Sequence, residues 1–173
     1  DLKPANLRIT AEGDVKILDF GAARGEFSTR EARTQGMTIG ALRYMAPERL
    51  LSREGADAPA SDIWSLGLMA LELLLGPDSK EWHTQFADAV HLSEQVREEF
   101  SLEHPDADVE YAGLSVSEFL AKMLAPEPED RPEASQVETF ARGMMTRFDG
   151  SDLRTWARLH VDELANFPKP PDE

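Results

Sequence analysis

The chain has 173 residues, a length that suits one folded domain, and 41% of them are hydrophobic, which is enough to build a core. Its net charge is −15, and the absence of Cys excludes disulfides and thiolate metal sites. No stretch approaches the run of about 18 apolar residues that would predict a membrane span.

The charge is unevenly distributed along the chain. Residues 1–53 carry nine Lys and Arg against seven Asp and Glu, whereas residues 54–173 carry nine against twenty-six. An anionic ligand is therefore better tolerated by the first part, and nucleic acid is disfavoured as a partner of the second. The acidic stretch at 78–133 is equally consistent with an ordinary solvated face.

A short hairpin is predicted next to the first residues. Residues 7–10 and 15–18 have the composition of strands, and the polar residues 11–14 between them form a turn. Pairing of these strands would bring Asn6, at one end of the hairpin, close to Asp19, at the other end.

The stretch from Asp19 to Glu48 is polar and contains several arginines and hydroxyls. A phosphate on one of these hydroxyls could order such a loop by pairing with an arginine. Thr34 and Thr38 are the preferred phosphorylation sites, although any polar loop contains hydroxyls.

The next predicted element is a helix that begins at Ser61 or Asp62, either of which can cap it, and that runs to about Leu75. This helix is apolar nearly all round, which is typical of a buried helix. The pair Gly76-Pro77 is expected to end it.

Further helices are predicted downstream. One lies around Leu92–Phe100, and a capping-box pattern at 115–118 opens another that runs through Leu124. A third spans Glu133 to Met145 and has one apolar face, formed by Val137, Phe140, Ala141 and Met144.

A last helix is predicted after Gly150, with Ser151 as its cap. It carries apolar and aromatic residues at helical spacing, namely Leu153, Trp156, His160 and Leu164. Its Trp can pack on the rest of the domain or bind a partner protein. The Pro-rich residues 168–171 that follow are typical of a linker.

Five motifs follow one another in order along the chain. They are Asp1-Leu2-Lys3-Pro4-Ala5-Asn6, Asp19-Phe20-Gly21, Ala46-Pro47-Glu48, Asp62-Ile63-Trp64-Ser65-Leu66-Gly67 and Pro126-Glu127-Pro128-Glu129-Asp130-Arg131-Pro132. One of them alone is weak evidence, since Asp-Phe-Gly by itself is equally a turn in which Gly supplies a positive φ. Together they resemble the protein kinase family from residue 1 to about residue 145. The Lys-Pro-Ala-Asn wording resembles the serine/threonine type.

The resemblance implies a fold and a domain organisation. The fold would be α+β but mainly helical, that of the C-terminal lobe of a kinase, with a short catalytic hairpin, an activation segment and then helices. The N-terminal lobe would be absent. Residues 1–145 would form part of a kinase domain, and residues 146–173 would form a C-terminal helix with a Pro-rich linker.

The resemblance also implies catalytic roles. Phosphoryl transfer depends mainly on positioning and charge neutralisation. Asp1 would accept the proton of the substrate hydroxyl, and Lys3 would contact the transferred phosphate of ATP. Asn6 and Asp19 would bind Mg²⁺, or Mn²⁺, through hard oxygen atoms.

Structural roles follow from the same resemblance. Gly21 would shape the turn after Asp19, and Asp62 would hold the catalytic loop through backbone hydrogen bonds. Glu48 and Arg131 would form an ion pair that ties the activation segment to the helices.

Three departures from the family pattern qualify the resemblance. Ala41 stands where the family has a Thr that bridges the catalytic Asp and Lys, so a hydrogen bond worth about 0.5–1.5 kcal/mol is lost. Arg8 stands where the family places an apolar residue beneath the adenine; its stem can still cover the base, or Arg8 is a solvated residue. The sequence also contains no Gly-rich loop and no V-A-I-K-like lysine.

The predicted function is that of a serine/threonine protein kinase, which acts on a protein substrate in the cytoplasm or in the cytoplasmic domain of a longer protein. We expect the chain to be a fragment of a longer reading frame, unstable alone and without ATP turnover. One alternative is a catalytically impaired kinase-like scaffold, which Ala41 and Arg8 favour. Another is a regulatory binding module, which the acidic stretch and the helix with Trp156 favour.

Overall fold

The computed structural model describes residues 2–18, 43–51, 59–76, 89–106, 108–147 and 152–165. The chain divides into two compact units. We call Pro4–Phe20 with Asp149–Glu173 the hairpin unit, and Asp1–Lys3 with Gly21–Phe148 the helical unit. Helix predominates over strand in the described residues, as the sequence predicts. Among these residues, no helix combines the length and the apolar composition needed to cross a bilayer.

The hairpin unit begins with the predicted hairpin, which the structure confirms. Strands β1 (Leu7–Ile9) and β2 (Val15–Ile17) pair in antiparallel fashion, with Leu7 opposite Ile17. The turn between them is closed by backbone hydrogen bonds from the Thr10 N–H to the Asp14 carbonyl (2.9 Å) and from the Gly13 N–H to the Thr10 carbonyl (2.9 Å).

The same unit contains the predicted last helix, which spans Leu153–Ala165. Its N-cap is Asp152, whereas the predicted cap, Ser151, lies outside the described residues. The Asp152 carboxylate oxygen accepts from the Thr155 N–H at 2.7 Å. Asp is a good N-cap because its carboxylate accepts an N–H group of the first helical turn.

In the helical unit, a short helix, α1 (Pro47–Leu50), is followed by a long helix, α2 (Pro59–Leu75). Helix α2 is the central helix of this unit. The predicted start at Ser61 or Asp62 is therefore wrong by at least two residues. The helix begins instead at Pro59, and proline is well tolerated at the first helical position because the N–H that it lacks would have no partner within the helix. Gly76, at φ +60°, ends α2 as predicted. Most of α2 is buried, although Leu73 remains 85% exposed.

Of the next two helices, the second packs on this central helix and the first packs on the second. Helix α3 spans Ala89–Glu103, which is longer than predicted, and buries Leu92, Val96 and Phe100 at intervals of four residues. Helix α4 spans Val116–Met123. It approaches α2 closely at Gly67, where an added Cβ would lie 3.0 Å from the Met123 Cβ.

The start of α4 confirms the capping-box prediction. The Glu118 N–H donates to the Ser115 Oγ (3.2 Å), and the Ser115 N–H donates to the Glu118 Oε2 (2.9 Å). The preceding residues form a second small hairpin, β3 (Glu110–Tyr111) with β4 (Leu114–Ser115).

Helix α5 spans Ala134–Met145, with Glu133 as its N-cap. Its packing corrects the predicted apolar face, because Ala141 is exposed. Gly143 is buried instead, and a Cβ built on it would lie 2.2 Å from the Tyr111 Cζ. The helix therefore turns a glycine, and not the nearby alanine, towards its neighbour. The helix at Leu153–Ala165 follows as α6.

Candidate functional site

Several predicted site residues lie outside the described residues, so their placement stays a prediction. These are Asp1, Asp19, Gly21, Thr34 and Thr38. The structure describes the remaining predicted residues, which are Lys3, Asn6, Arg8, Glu48, Asp62 and Arg131.

The hairpin holds Asn6 beside the residue that precedes Asp19. A short 3-10 turn, Pro4–Asn6, leads into β1, and the Leu18 N–H donates to the Asn6 carbonyl oxygen at 2.7 Å. Asn6 is only 8% exposed. The two ends of the hairpin are thus joined by a backbone hydrogen bond, one residue before Asp19 in the sequence.

The predicted donor set, Asn6 with Asp19, has the chemistry that a hard cation requires. An amide oxygen from Asn6 and a carboxylate from Asp19 are oxygen ligands of the kind that Mg²⁺ accepts together with phosphate oxygens. Among the side chains that the structure describes, no three His, Cys, Asp or Glu residues gather as a metal site. Asp1 and Asp19 are not among those side chains.

Arg8 lies opposite Lys16 in the strand register and is exposed. Its Nη1 donates to the carbonyl oxygens of Ala5 (3.1 Å) and Leu7 (2.8 Å). The guanidinium is therefore bound to neighbouring backbone. Side chains alternate across a strand, so Leu7 and Ile9 lie on the opposite face of the hairpin from Arg8.

In the helical unit, the ion pair between Glu48 and Arg131 is present and buried. Arg131 Nη1 lies 2.8 Å from Glu48 Oε1, and Arg131 Nη2 lies 2.9 Å from Glu48 Oε2. This is a bidentate arrangement, in which two parallel N–H groups face two carboxylate oxygens. Glu48 lies in α1, so the pair connects this short helix to the loop that precedes α5.

The other donors of Arg131 are also used. Its Nε donates to the Ala125 carbonyl (2.8 Å), and its two Nη atoms also donate to the carbonyls of Ala60 (3.0 Å) and Pro126 (3.0 Å). The guanidinium carbon lies 5.1 Å from the centre of the Trp64 ring. All five N–H groups of a guanidinium thus have partners, which is what a buried charge requires.

Ser61 completes this cluster, a role that its place in the sequence did not predict. Its Oγ donates to Glu48 Oε1 at 2.6 Å. Burial by itself raises the pKa of the Glu48 carboxyl, but hydrogen bonds from Arg131 and Ser61 outweigh it and hold the pKa below its ordinary value. Glu48 is therefore an ionised carboxylate at neutral pH. The pattern of Ser61 next to Asp62 indicated a helix cap and concealed this contact.

A second link joins the residues before α1 to the central helix, and it was also missed. The Tyr44 hydroxyl donates to Glu72 Oε2 at 2.5 Å, and Arg43 Nη2 lies 3.1 Å from Glu72 Oε1. Burial, together with the bond to Glu72, raises the pKa of Tyr44 to about 12. Ser65 Oγ also donates to the Tyr44 carbonyl at 2.7 Å. In the sequence, Glu72 itself indicated such a contact, since it is a carboxylate among the apolar residues of the second half of the helix.

Asp62 lies in the first turn of α2, and its side chain is exposed. Lys3, also in the helical unit, is half-buried. The predicted contacts of Asp62 with the catalytic loop remain a prediction, since residue 1 is not described.

Comparison with known proteins agrees with these observations. The protein kinase domain profile matches residues 1–140. The chain is 32% identical over 179 residues to the probable serine/threonine-protein kinase PknB of Corynebacterium glutamicum, which covers 99% of this chain and 26% of that protein. It is 33% identical over 138 residues to the serine/threonine-protein kinase PknL of Mycobacterium tuberculosis (76% and 31%).

A eukaryotic relative is similar to the same degree. The MAP kinase kinase mkk-4 of Caenorhabditis elegans is 30% identical over 141 residues, which cover 81% of this chain and 37% of that protein. The chain therefore spans less than two fifths of the length of each of these relatives.

Proposed function

The chain belongs to the protein kinase family, and we propose that it carries the phosphoryl-transfer residues of a serine/threonine protein kinase. The observation that carries this proposal is the Leu18–Asn6 hydrogen bond of 2.7 Å, which joins the ends of the hairpin between two kinase motifs. The substrates would be ATP and the Ser or Thr hydroxyl of a protein, and the reaction would take place in the cytoplasm, where ATP is available.

Each residue of the motifs has a specific task in this proposal. Asp1 orients the substrate hydroxyl and accepts its proton, and Lys3 lies against the transferred phosphate as a positive charge. Asn6 and Asp19 would hold Mg²⁺, or Mn²⁺, and the bound ion would supply positive charge next to the phosphate oxygens. Arg8 covers the adenine with its methylene stem.

The buried contacts of the helical unit support a positioning role for the residues around α1. Glu48 is held by Arg131 and Ser61, and Tyr44 is held by Glu72. These contacts restrain the end of the activation segment, Asp19–Glu48, in which Thr34 and Thr38 are the proposed phosphorylation sites. Gly21 and Asp62 would shape the turn after Asp19 and hold the catalytic loop.

We further propose that residues 1–145 supply the C-terminal lobe of the kinase domain and that residues 146–173 add a helix and a linker. Residues 1–173 alone would not turn over ATP. The sequence contains no Gly-rich phosphate loop and no V-A-I-K-like lysine. Apolar side chains are exposed on the central helix at Leu73 and on the hairpin at Val15 and Ile17. A complete kinase domain would cover such residues, and burying each is worth about 1.5–3 kcal/mol.

Phosphate transfer by the full-length protein tests this function. The protein is incubated with γ-labelled ATP, Mg²⁺ and a mixed protein substrate, and the labelled residues are identified after acid hydrolysis. We expect phosphoserine and phosphothreonine from the wild type, and a loss of about 100-fold or more in Asp1→Asn, because a general base contributes that much. Label on tyrosine alone would contradict the serine/threonine assignment.

A catalytically impaired scaffold is the second candidate, favoured by Ala41 and by the hydrogen bonds of the Arg8 guanidinium to the backbone carbonyls of Ala5 and Leu7. The variant Ala41→Thr separates the two candidates. In an active enzyme, the restored hydroxyl should raise the rate by up to about tenfold, the equivalent of one hydrogen bond. In a scaffold, neither the wild type nor this variant would transfer phosphate above the level of Asp1→Asn.

A further inference from the structure

The turn of the hairpin contacts the backbone of the last helix, within the hairpin unit. A Cβ built on Gly13 would lie 2.4 Å from the Arg154 Cα and 2.7 Å from the Arg154 N. Distances below 3.0 Å to backbone atoms cannot be relieved by rotating a side chain. Gly13 also has φ +82°, so both the conformation and the space require glycine.

Such a contact would add support to the hairpin. A two-stranded hairpin alone is only marginally stable in water. The side chains of Ile9, Val15 and Ile17 are exposed, so the strands obtain little stability from burial. Gly13, in contrast, is buried. Packing of α6 against the turn therefore supports an element that is otherwise weak.

Helix α6 is well held at the point of contact. Arg154 is in its first turn, next to the cap formed by Asp152 and Thr155 (2.7 Å). Ala157, one turn further along, is only 1% exposed. The hairpin turn therefore contacts a part of α6 that is capped at its start and packed at Ala157.

The opposite end of the hairpin carries the residues assigned to metal binding. From Gly13 the hydrogen bonds run through the turn (Gly13 to Thr10, 2.9 Å), along the paired strands, to the Leu18–Asn6 bond. The hairpin is only three residue pairs long, so a displaced turn also changes the strand end that holds Asn6.

We propose that the Gly13–Arg154 contact is a docking point through which α6 positions Asn6 for metal binding. Gly13 and Arg154 are then positioning residues, and α6 is a part of the enzyme and not an appendage. This inference rests on the proposed function, because it assigns the metal to Asn6. It predicts that displacement of α6 weakens metal binding while the catalytic residues stay unchanged.

The chain offers a matched control for Gly13. Gly113, in the β3–β4 turn, has nearly the same φ (+80°), but nothing lies within 4 Å of a Cβ built on it. Both Gly13→Ala and Gly113→Ala introduce the same backbone strain, and only the first adds the clash with Arg154. Both variants are made in the full-length protein.

Hydrogen exchange measures the contact itself, without any need for activity. We expect Gly13→Ala to reduce the protection of the Leu18 N–H about tenfold more than Gly113→Ala does, since overpacking adds to the strain. The helix-breaking variant Arg158→Pro, which clashes with the carbonyl of residue 154, should lower this protection by itself. It should also reduce the difference between Ala and Gly at position 13 to the part caused by backbone strain. Equal protection of Leu18 in Gly13→Ala and Gly113→Ala would overturn the docking point.

Direct Mn²⁺ binding in the presence of ADP, followed by electron paramagnetic resonance, measures the positioning role. Gly13→Ala should raise the Mn²⁺ dissociation constant, and Gly113→Ala should leave it unchanged. An unchanged constant in Gly13→Ala, with a wild type that binds Mn²⁺, would overturn this inference alone. A wild type that binds no Mn²⁺ would overturn both the inference and the metal site of the proposed function.

Discussion

Glu48 and Arg131, which are 83 positions apart in the sequence, form a buried bidentate ion pair. The desolvation of two charges is costly, and the pair is tolerated because every donor of Arg131 has a partner. The same carboxylate also accepts from Ser61 at 2.6 Å. The pair thus joins three parts of the helical unit, namely α1, the start of α2 and the loop before α5.

Removal of the Arg131 charge should be strongly destabilising. Arg131→Met leaves the Glu48 carboxylate buried without its counter-charge, and we expect a loss of about 3–5 kcal/mol in the free energy of unfolding. Arg142→Met is the control, since Arg142 pairs with Glu138 on the surface with 75% of its side chain exposed. That change should cost less than about 1 kcal/mol. Urea denaturation of the full-length protein measures both, and equal losses would contradict the structural role of Arg131.

The Glu48 pair should make stability depend on acidic pH. Because the pKa of Glu48 is below its ordinary value of 4.5 in the folded protein, the unfolded chain binds the proton first. The stabilisation is therefore complete above pH 4.5 and decreases as the pH falls through and below that value. Glu48→Gln does not titrate, so the stability difference between wild type and Glu48→Gln should narrow below pH 4.5. A difference that stays constant down to the acid limit of folding would count against this account.

The contact between Tyr44 and Glu72 should be visible in an alkaline titration. The pKa of Tyr44 is raised from 10.0 to about 12, so the neutral phenol is favoured by folding up to alkaline pH. The absorbance difference between wild type and Tyr44→Phe should titrate near 12 while the protein stays folded. A difference that titrates at 10.0 would show that the Glu72 contact is not formed.

Tyr44→Phe should also destabilise the protein, by about 1.5–3 kcal/mol, because the lost bond has a charged acceptor. Stabilisation by the Tyr44 hydroxyl is present below pH 10.0 and decreases as the pH rises towards the folded pKa of about 12. The cost of the substitution should therefore fall in that range.

Gly143→Ala should have the opposite effect from that of most Gly→Ala changes in helices. Helix propensity alone predicts a gain of about 1 kcal/mol. The new Cβ would meet the Tyr111 ring at 2.2 Å, and we expect a net loss of about 1–3 kcal/mol. Thr139→Ala in the same helix is the exposed control, expected within about 0.5 kcal/mol of wild type. Thermal unfolding compares the two, and a stabilised Gly143→Ala would show that α5 does not lie against Tyr111.

Local patterns in the sequence predicted the elements that depend on neighbours in the chain. The 7–18 hairpin and the capping box at Ser115 and Glu118 are of this kind, since strand alternation and helix caps are settled within a few residues. The kinase motifs predicted the Glu48–Arg131 pair, because a family resemblance conveys a contact that no local pattern can.

The corrections to α2 and α5 arise from tertiary contacts. Ser61 has a cap-forming side chain, yet its preferred partner is the distant carboxylate of Glu48, so α2 extends past it to Pro59. Ala141 is exposed because the helix turns Gly143, which lies on nearly the opposite side of the helix axis, towards the Tyr111 ring. Helical periodicity could predict neither the start of α2 nor the buried face of α5, because it uses residue types alone and contains no information on which distant residues they contact.

The central claim is that the aspartate after the hairpin serves phosphoryl transfer. The most direct measurement is the initial rate of phosphate transfer from ATP by the full-length protein, compared among wild type, Asp19→Asn and Asp14→Asn. Asp14 is the matched control, an exposed carboxylate in the turn of the same hairpin that contacts Lys16 at 3.4 Å. The account predicts that Asp14→Asn retains the wild-type rate and that Asp19→Asn falls to background. Equal rates in wild type and Asp19→Asn would contradict it.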